Sequence, residues 1–390
     1  MSKKNKVAII GIGITKFGEL WEKSYRDLIS EAGAKAIIDA GIDGQDVKEL
    51  FVGSMSPGLF SGQEHTAALV ADYAGLTGIP ATRVEAACAS GGLALRQAYV
   101  SVLSGRSDIV VAGGVEKMTD VPTGLAMIAL MGAGDEEWEA YQGITFPALY
   151  ALMARRHMKE YGTTMEQISA VAVKNHYNAK FNEYAQFRSE VSLEDVMNSS
   201  PVADPLRLLH CSPITDGAAV AILASEEKAK ELCDNPVWIK ASGMATDTIA
   251  LHDRKSLSKM EATIRASKEA YKEAGVTAKD MDFAEVHDCF AIAEILAIED
   301  LGFCEKGKGG KYTEEGKTRI GGEIPVNTSG GLKGKGHPVG TTGIAQAVEA
   351  TLQLRGQAGK RQVKDAKIGL SHNVGGSGAT AVVHVYSNEE

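Results

Sequence analysis

The sequence predicts an α/β protein of two related halves that stack into a five-layer α-β-α-β-α sandwich, with an extra segment inserted in the first half. Three observations predict it. Short apolar, β-branched runs alternate with longer helical patterns, the signature of strands covered by helices. The runs are apolar throughout, which implies largely parallel sheets buried on both faces. Finally, the chain repeats itself. Each half opens with a strand ending in a small-residue turn, Ile9-Ile10-Gly11-Ile12-Gly13 and Ile239-Lys240-Ala241-Ser242-Gly243, and each later sets a reactive residue and glycines just before a helix, Cys88 and His337.

Taken in order, the apolar runs place strands at Val7–Ile14, Leu50–Gly53, Asp108–Ala112, Ala218–Leu223, Val237–Ala241, Phe283–Val286, Lys367–Leu370 and Ala381–Tyr386. Helical patterns fall at Tyr25–Ala40, Thr66–Ala74, Ala89–Ser104, Ser258–Ala274, Ile292–Leu301 and Thr342–Leu354. Residues 119–210 break the alternation and read as an insertion or lid. The Gly/Lys-rich run Cys304–Gly322 reads as an exposed loop. The expected domains are therefore residues 1–118 with 211–230, an inserted domain at 119–210, and residues 231–390. A dinucleotide fingerprint at Gly11 and Gly13 fails because Lys16 stands where the third glycine is required.

A length of 390 residues exceeds one ordinary core. With 41 Lys+Arg against 50 Asp+Glu the net charge is −9, which argues against nucleic acid, whose phosphates need a clustered basic surface. No apolar stretch reaches the length of a membrane span. Residues 1–6 show no apolar leader. Five cysteines with no CxxC pair fit a reducing cytoplasm, not a disulfide scaffold or a zinc module.

Cys88 sits in Val84-Glu85-Ala86-Ala87-Cys88-Ala89-Ser90-Gly91-Gly92, where an apolar run stops and a helix begins. Backbone N–H groups and the helix dipole there favour a thiolate, and small neighbours leave room for a substrate. A buried structural cysteine is the plain alternative. Four further segments carry chemistry: Val286-His287-Asp288-Cys289-Phe290, the glycine-dense run from Gly330 to Gly340 around His337, Ser371-His372-Asn373-Val374-Gly375-Gly376-Ser377-Gly378, and the run from Cys211 to Ala219. Strand ends on one side of an α/β sheet converge on a crevice. There a Cys88–His337 pair supplies a nucleophile and its base, Cys289 can act as acid and base, and the glycines near 375–378 can present N–H groups to an oxyanion. His65, His157, His176, His210, His252 and His384 read as hydrogen-bonded core residues, and Cys211, Cys233 and Cys304 as small buried groups. The acidic run Asp135–Glu139 reads as solvated surface.

Together these segments resemble the thiolase superfamily over essentially the whole chain. The Cys88 segment resembles the thiolase nucleophile motif, Ser212-Pro213-Ile214-Thr215-Asp216-Gly217-Ala218-Ala219 the segment returning from the loop domain, and Gly336-His337-Pro338 the GHP motif. Two departures are informative. An Asn-Glu-Ala-Phe motif is replaced by His287-Asp288-Cys289-Phe290, and the C-terminal Cys-x-Gly by His372-Asn373-Val374. Both are similar to sterol-carrier-protein-type thiolases and archaeal acetoacetyl-CoA thiolases, in which the acid/base cysteine lies in the HDCF segment.

The resemblance implies a thiolase fold and an acetyl-CoA C-acetyltransferase. His337 activates Cys88, and Cys88 carries the acyl group. Cys289 moves the C2 proton of a second acetyl-CoA, and an oxyanion hole is made by His337 and a water on His287. Backbone near Gly375 and Gly376 holds the second oxyanion, His372 has a supporting role, and Ser212 contacts the pantetheine arm under a CoA-covering 119–210 domain. The resemblance implies no metal or redox cofactor, with acetyl-CoA, acetoacetyl-CoA and CoA as ligands. It further implies a homodimer or homotetramer, coupling to 3-hydroxy-3-methylglutaryl-CoA (HMG-CoA) synthase through a zinc-binding OB-fold protein, and a role in mevalonate synthesis. The alternatives are thiolysis of longer or branched 3-ketoacyl-CoA and a non-catalytic acyl-CoA-binding scaffold.

Overall fold

The computed structural model describes residues 6–390. Five of the six residues in the leader reading, 1–5, lie outside the described residues. The strands are β1 (Val7–Ile14), β2 (Glu49–Gly53), β3 (Ala81–Val84), β4 (Ile109–Glu116), β5 (Pro201–Ala203), β6 (Leu206–Arg207), β7 (Gly217–Ser225), β8 (Val237–Thr246), β9 (Phe283–Glu285), β10 (Ile368–Gly375) and β11 (Thr380–Ser387). Among the described residues, nine of them form one sheet in the order β3-β2-β4-β7-β1-β8-β11-β10-β9, and β5 pairs with β6.

The sheet is mixed, not largely parallel. β2 runs parallel to β3 and β4, and β9 to β10, whereas β7 is antiparallel to β1 and β4, β1 to β8, and β11 to β8 and β10. The connection from β10 to β11 is a short turn, too short for a crossover, so these strands must be antiparallel. Apolar runs report burial on both faces but not strand direction. The two half-sheets meet where Ala8 and Ile9 pair with Trp238 and Val237.

Side-chain alternation along β1 sorts the layers. Ala8 and Ile10 face the helices Tyr25–Ala40 and Thr66–Tyr73 on one outer side. Val7 and Ile9 face an inner layer made by the helices Ser90–Leu103 and Thr342–Leu354, which also covers Val237 and Ile239 of β8. Beyond the second half-sheet lie the helices Glu261–Ala274 and Ala291–Asp300. The five layers of the sandwich are thus present.

The glycines that open each half lie inside strands rather than in turns. A Cβ on Gly11 would stand 2.5 Å from the Ala36 carbonyl oxygen, and Cβ atoms on Gly13 and Gly243 would overlap the Ala32 and Ala266 carbonyls. In both halves a glycine-bearing strand lets an alanine-bearing helix settle onto it. The duplication therefore extends to packing.

Residues 119–210 hold the helices Thr123–Met131, Phe146–Tyr161 and Met165–Ala179. Although inserted in the first half, their buried faces (Leu149, Tyr150, Met153, Ile168 and Val171) share a core with Ile292, Ile295 and Leu296 of the second. The Ala291–Asp300 helix is buried on every side, so its acidic residues need partners. Glu294 bonds Lys174 at 2.8 Å, and Glu299 bonds His157 at 3.0 Å.

Some surface expectations change. Cys304–Gly322 contains a short helix, Gly309–Glu314, with Tyr312 and Thr313 buried. Glu139 is buried and accepts N–H groups from Leu251 and Asp135. His65 and His252 are exposed, and Cys211, Cys233 and Cys304 are half-buried. No helix among the described residues is long and apolar enough to cross a membrane.

Candidate active site

The inner layer builds the site. The Ser90–Leu103 and Thr342–Leu354 helices start side by side, and their first turns cross at glycines. A Cβ on Gly91 would lie 2.8 Å from the Gly340 carbonyl, and one on Gly343 would overlap Gly92 and the Asn373 side chain. Backbone touches backbone here, so the residues just ahead of each helix, Cys88 and His337, are brought together. Ala87 takes a positive φ of 52° to make the turn, the kind of strain that persists where surrounding structure fixes it.

Cys88 Sγ and one ring nitrogen each of His287 and His337 lie within 4.8 Å of one another, all three buried. The two imidazoles stand edge to face with centroids 5.0 Å apart. His337 Nδ1 bonds Thr342 Oγ1 at 2.6 Å, and that hydroxyl donates to the Pro338 carbonyl at 3.2 Å. With the hydroxyl hydrogen donated to Pro338, Nδ1–H donates to Oγ1, the tautomer that leaves His337 Nε2 its lone pair as a base.

Burial sets the resting charges. The Cys88 thiol is pushed up to about 12, although N–H groups of Gly376 and of Cys88 itself pull against this. Burial, and then the Lys335 charge, holds His337 down at about 3. His287 lies well below the usual imidazole range for the same first reason, with His337 and His372 adding to it. Burial thus works against the resting thiolate that the helix terminus favours.

Cys289 follows β9 and is buried. Its carbonyl accepts the Ser212 N–H at 2.8 Å, which seats the returning segment against it. Desolvation raises its thiol well above the ordinary value, opposed by a hydrogen bond with the Tyr150 hydroxyl, and Cys88 is close enough to raise it further. Tyr150 also donates to the Gly376 carbonyl at 3.1 Å and stacks on Phe290 at 4.6 Å. Gly376 is thereby held between Tyr150 and Cys88, and Gly375 abuts the Ala86 carbonyl.

His372 stands behind the cluster. Its Nε2 bonds Thr263 at 2.8 Å, and its Nδ1 faces the His287 N–H at 3.5 Å. Asp288 ties the two motif segments together by accepting N–H groups of Leu332 at 2.7 Å and Lys333 at 3.3 Å, and the Asn175 amide at 2.7 Å. Glu116 joins the two halves, accepting from Met55 at 2.7 Å and Gly340 at 3.0 Å.

Two family models match this chain, the thiolase N-terminal domain over residues 7–227 and the thiolase C-terminal domain-like family over 243–388. The chain belongs to the thiolase family. Among similar proteins, an acetyl-CoA acetyltransferase of Methanothermobacter thermautotrophicus is 61% identical over 98% of this chain and 99% of the relative. One of Methanocaldococcus jannaschii is 55% identical over 98% and 99%. Sterol carrier protein 2 of Bos taurus is 38% identical over 97% of this chain and 72% of its own length. Among solved structures, a chain of the Ltp2-ChsH2(DUF35) aldolase superposes with a TM-score of 0.86 at 27% identity, covering 99% of this thiolase and 98% of that chain.

The sequence singles out Cys88, His287, Cys289, His337, His372, Gly375, Gly376 and Ser212 in this thiolase, but gives no role to Asn373, Thr342, Tyr150, Asp288 or Glu116. Asp288 and Asn373 lie inside segments already singled out, and Thr342 stands five residues past His337 at the start of the same helix.

Proposed function

We propose that this thiolase is an acetyl-CoA C-acetyltransferase that condenses two acetyl-CoA through an acetyl-Cys88 intermediate. The observation that carries the reading is the convergence on Cys88 of a base, His337, with a second thiol, Cys289, alongside. The names of the relatives at 61% and 55% identity support the same activity.

The protons balance. His337 takes the Cys88 proton, the thiolate attacks the thioester carbon of acetyl-CoA, and CoA leaves as Cys289 gives its proton to the departing sulfur. A second acetyl-CoA enters, and the Cys289 thiolate removes a C2 proton. The enolate oxygen is stabilised by protonated His337 and by His287, directly or through a water. The enolate carbon attacks acetyl-Cys88, whose oxygen is met by N–H groups of Cys88 and Gly376. Cys88 leaves as thiolate and recovers its proton from His337. Ser212 and the 119–210 domain hold the CoA arm.

Buried Met55, Phe60, Met118 and Val339 pack around Cys88, which supports a short acyl group over longer chains. Condensation is uphill and needs a consumer. We assign that role to HMG-CoA synthase in mevalonate synthesis, with a zinc-binding OB-fold protein between the enzymes, in a cytoplasmic homodimer or homotetramer without a metal of its own. Native co-purification checks the partners. For the activity, intact mass after acetyl-CoA addition should show one acetyl group, lost in Cys88→Ala. Thiolysis should be fastest on acetoacetyl-CoA. No adduct and no activity on that substrate would leave a scaffold.

A further inference from the structure

The two imidazoles beside Cys88 differ in what holds their inner nitrogens, and the difference sets what each can do. Behind His287 stands Asn373, buried on β10. Its carboxamide is oriented by two backbone groups at once: Oδ1 accepts the Gly92 N–H at 3.0 Å, and Nδ2 donates to the Cys88 carbonyl at 3.0 Å. Flipping the amide would set N–H against N–H and oxygen against oxygen. The remaining Nδ2 hydrogen therefore faces His287 Nδ1, 3.2 Å away. A neutral imidazole that accepts at Nδ1 carries its proton on Nε2. His287 Nε2 is buried without a hydrogen-bond partner of its own, and an orphan of that kind calls for an explanation.

We propose that Asn373 is a positioning residue that makes His287 a hydrogen-bond donor toward the reacting centre, opposite in sense to His337, whose Nδ1–H goes to Thr342 and whose Nε2 accepts. One amide and one hydroxyl thus polarise two identical side chains in opposite directions around one sulfur. The same amide has a second effect. A thiolate with two imidazole lone pairs is a zinc-binding set, and Cys88, His287 and His337 have the spacing for it. An Nε2–H cannot ligate, so Asn373 also shields the nucleophile from transition-metal cations. Asn373→Asp would reverse this, with one carboxylate oxygen then set against the Cys88 carbonyl. A carboxylate accepts from Nδ1–H and turns the lone pair to Nε2, the arrangement of carboxylate–histidine–zinc sites.

The catalytic consequence rests on the acetyltransferase reading, but the ring assignment does not. In full-length wild-type protein carrying nitrogen-15 histidine, with His287 assigned through His287→Gln, its Nε2 should resonate as a protonated nitrogen and its Nδ1 as an unprotonated one, with His337 the reverse. Asn373→Asp should invert His287 and bind one Zn²⁺ per chain, lost when Cys88→Ala is added. Its condensation kcat in metal-free buffer should fall by about 10²-fold, as for loss of one oxyanion donor, with KM for acetyl-CoA little changed. Wild-type His287 protonated on Nδ1, or wild type binding Zn²⁺ as tightly as the variant, would overturn the inference. Should the variant not fold, the wild-type resonances decide alone. A missing acetyl adduct on Cys88 would instead sink the reaction and leave the ring assignment standing.

Discussion

Burial favours the uncharged forms of Cys88 and His337, raising the thiol to about 12 and lowering the imidazole to about 3. On that balance the proton crosses from thiol to imidazole when substrate binds. Alkylation of Cys88 by iodoacetamide, read by peptide mass, should therefore climb with pH to about 10 without levelling near neutrality, since the thiolate is the reactive form. A plateau beginning near neutral pH would show a resting ion pair instead. The two thiols should also separate by role. Cys289→Ala should lower condensation by about 10²–10⁴-fold, the range for a lost general acid or base. Cys88→Ala should abolish it and the acetyl adduct together. Retention of full activity in Cys289→Ala would assign the C2 proton elsewhere.

Among the secondary-structure elements, the paired first turns of Ser90–Leu103 and Thr342–Leu354 matter most. Gly343→Ala places a methyl group against Gly92 and Asn373, where little can yield. Denaturant unfolding should show a loss of about 1–3 kcal/mol, the usual range for overpacking, and kcat should fall further than wild type destabilised equally by urea. An alanine variant matching wild type on both counts would mean the helices can part without harm. Much of this was legible beforehand. Tyr25–Ala40 and Thr342–Leu354 match to the residue because apolar spacing and a terminal glycine or loop mark both ends. β3 was not legible, since Ala81–Val84 is short, polar in part and half-exposed. Strand direction was hidden because it depends on partners. Cys88 and His337 declare themselves through glycines at helix starts, whereas Asn373 acts on a carbonyl 285 positions away and has meaning only once the chain is folded.

The whole molecule carries its own pH dependence. Burial holds His176, His210 and His384 at about 4 and His337 and His372 at about 3, with His287 also far down. Below the ordinary imidazole range the unfolded chain binds protons that these groups refuse, so their stabilisation is complete above that range and is lost as pH falls through it. Burial also raises Glu116 and Asp288 to about 7, Asp300 to about 6, and Glu285. These work in the other direction, gaining protons on folding. Six histidines against four carboxyls leave a net loss on acidification, so the urea midpoint should be lower at about pH 5 than at about pH 7. An equal or higher midpoint in acid would refute that balance. The glycine crossing has a further consequence. Thiol and imidazole come from opposite halves and are registered by hydrogen atoms alone, which leaves the machine no slack. A slip of about 1 Å between the halves is enough to cost about a hundredfold in rate. Gentle warming should then silence turnover several degrees before circular dichroism registers any melting, and cooling should restore it.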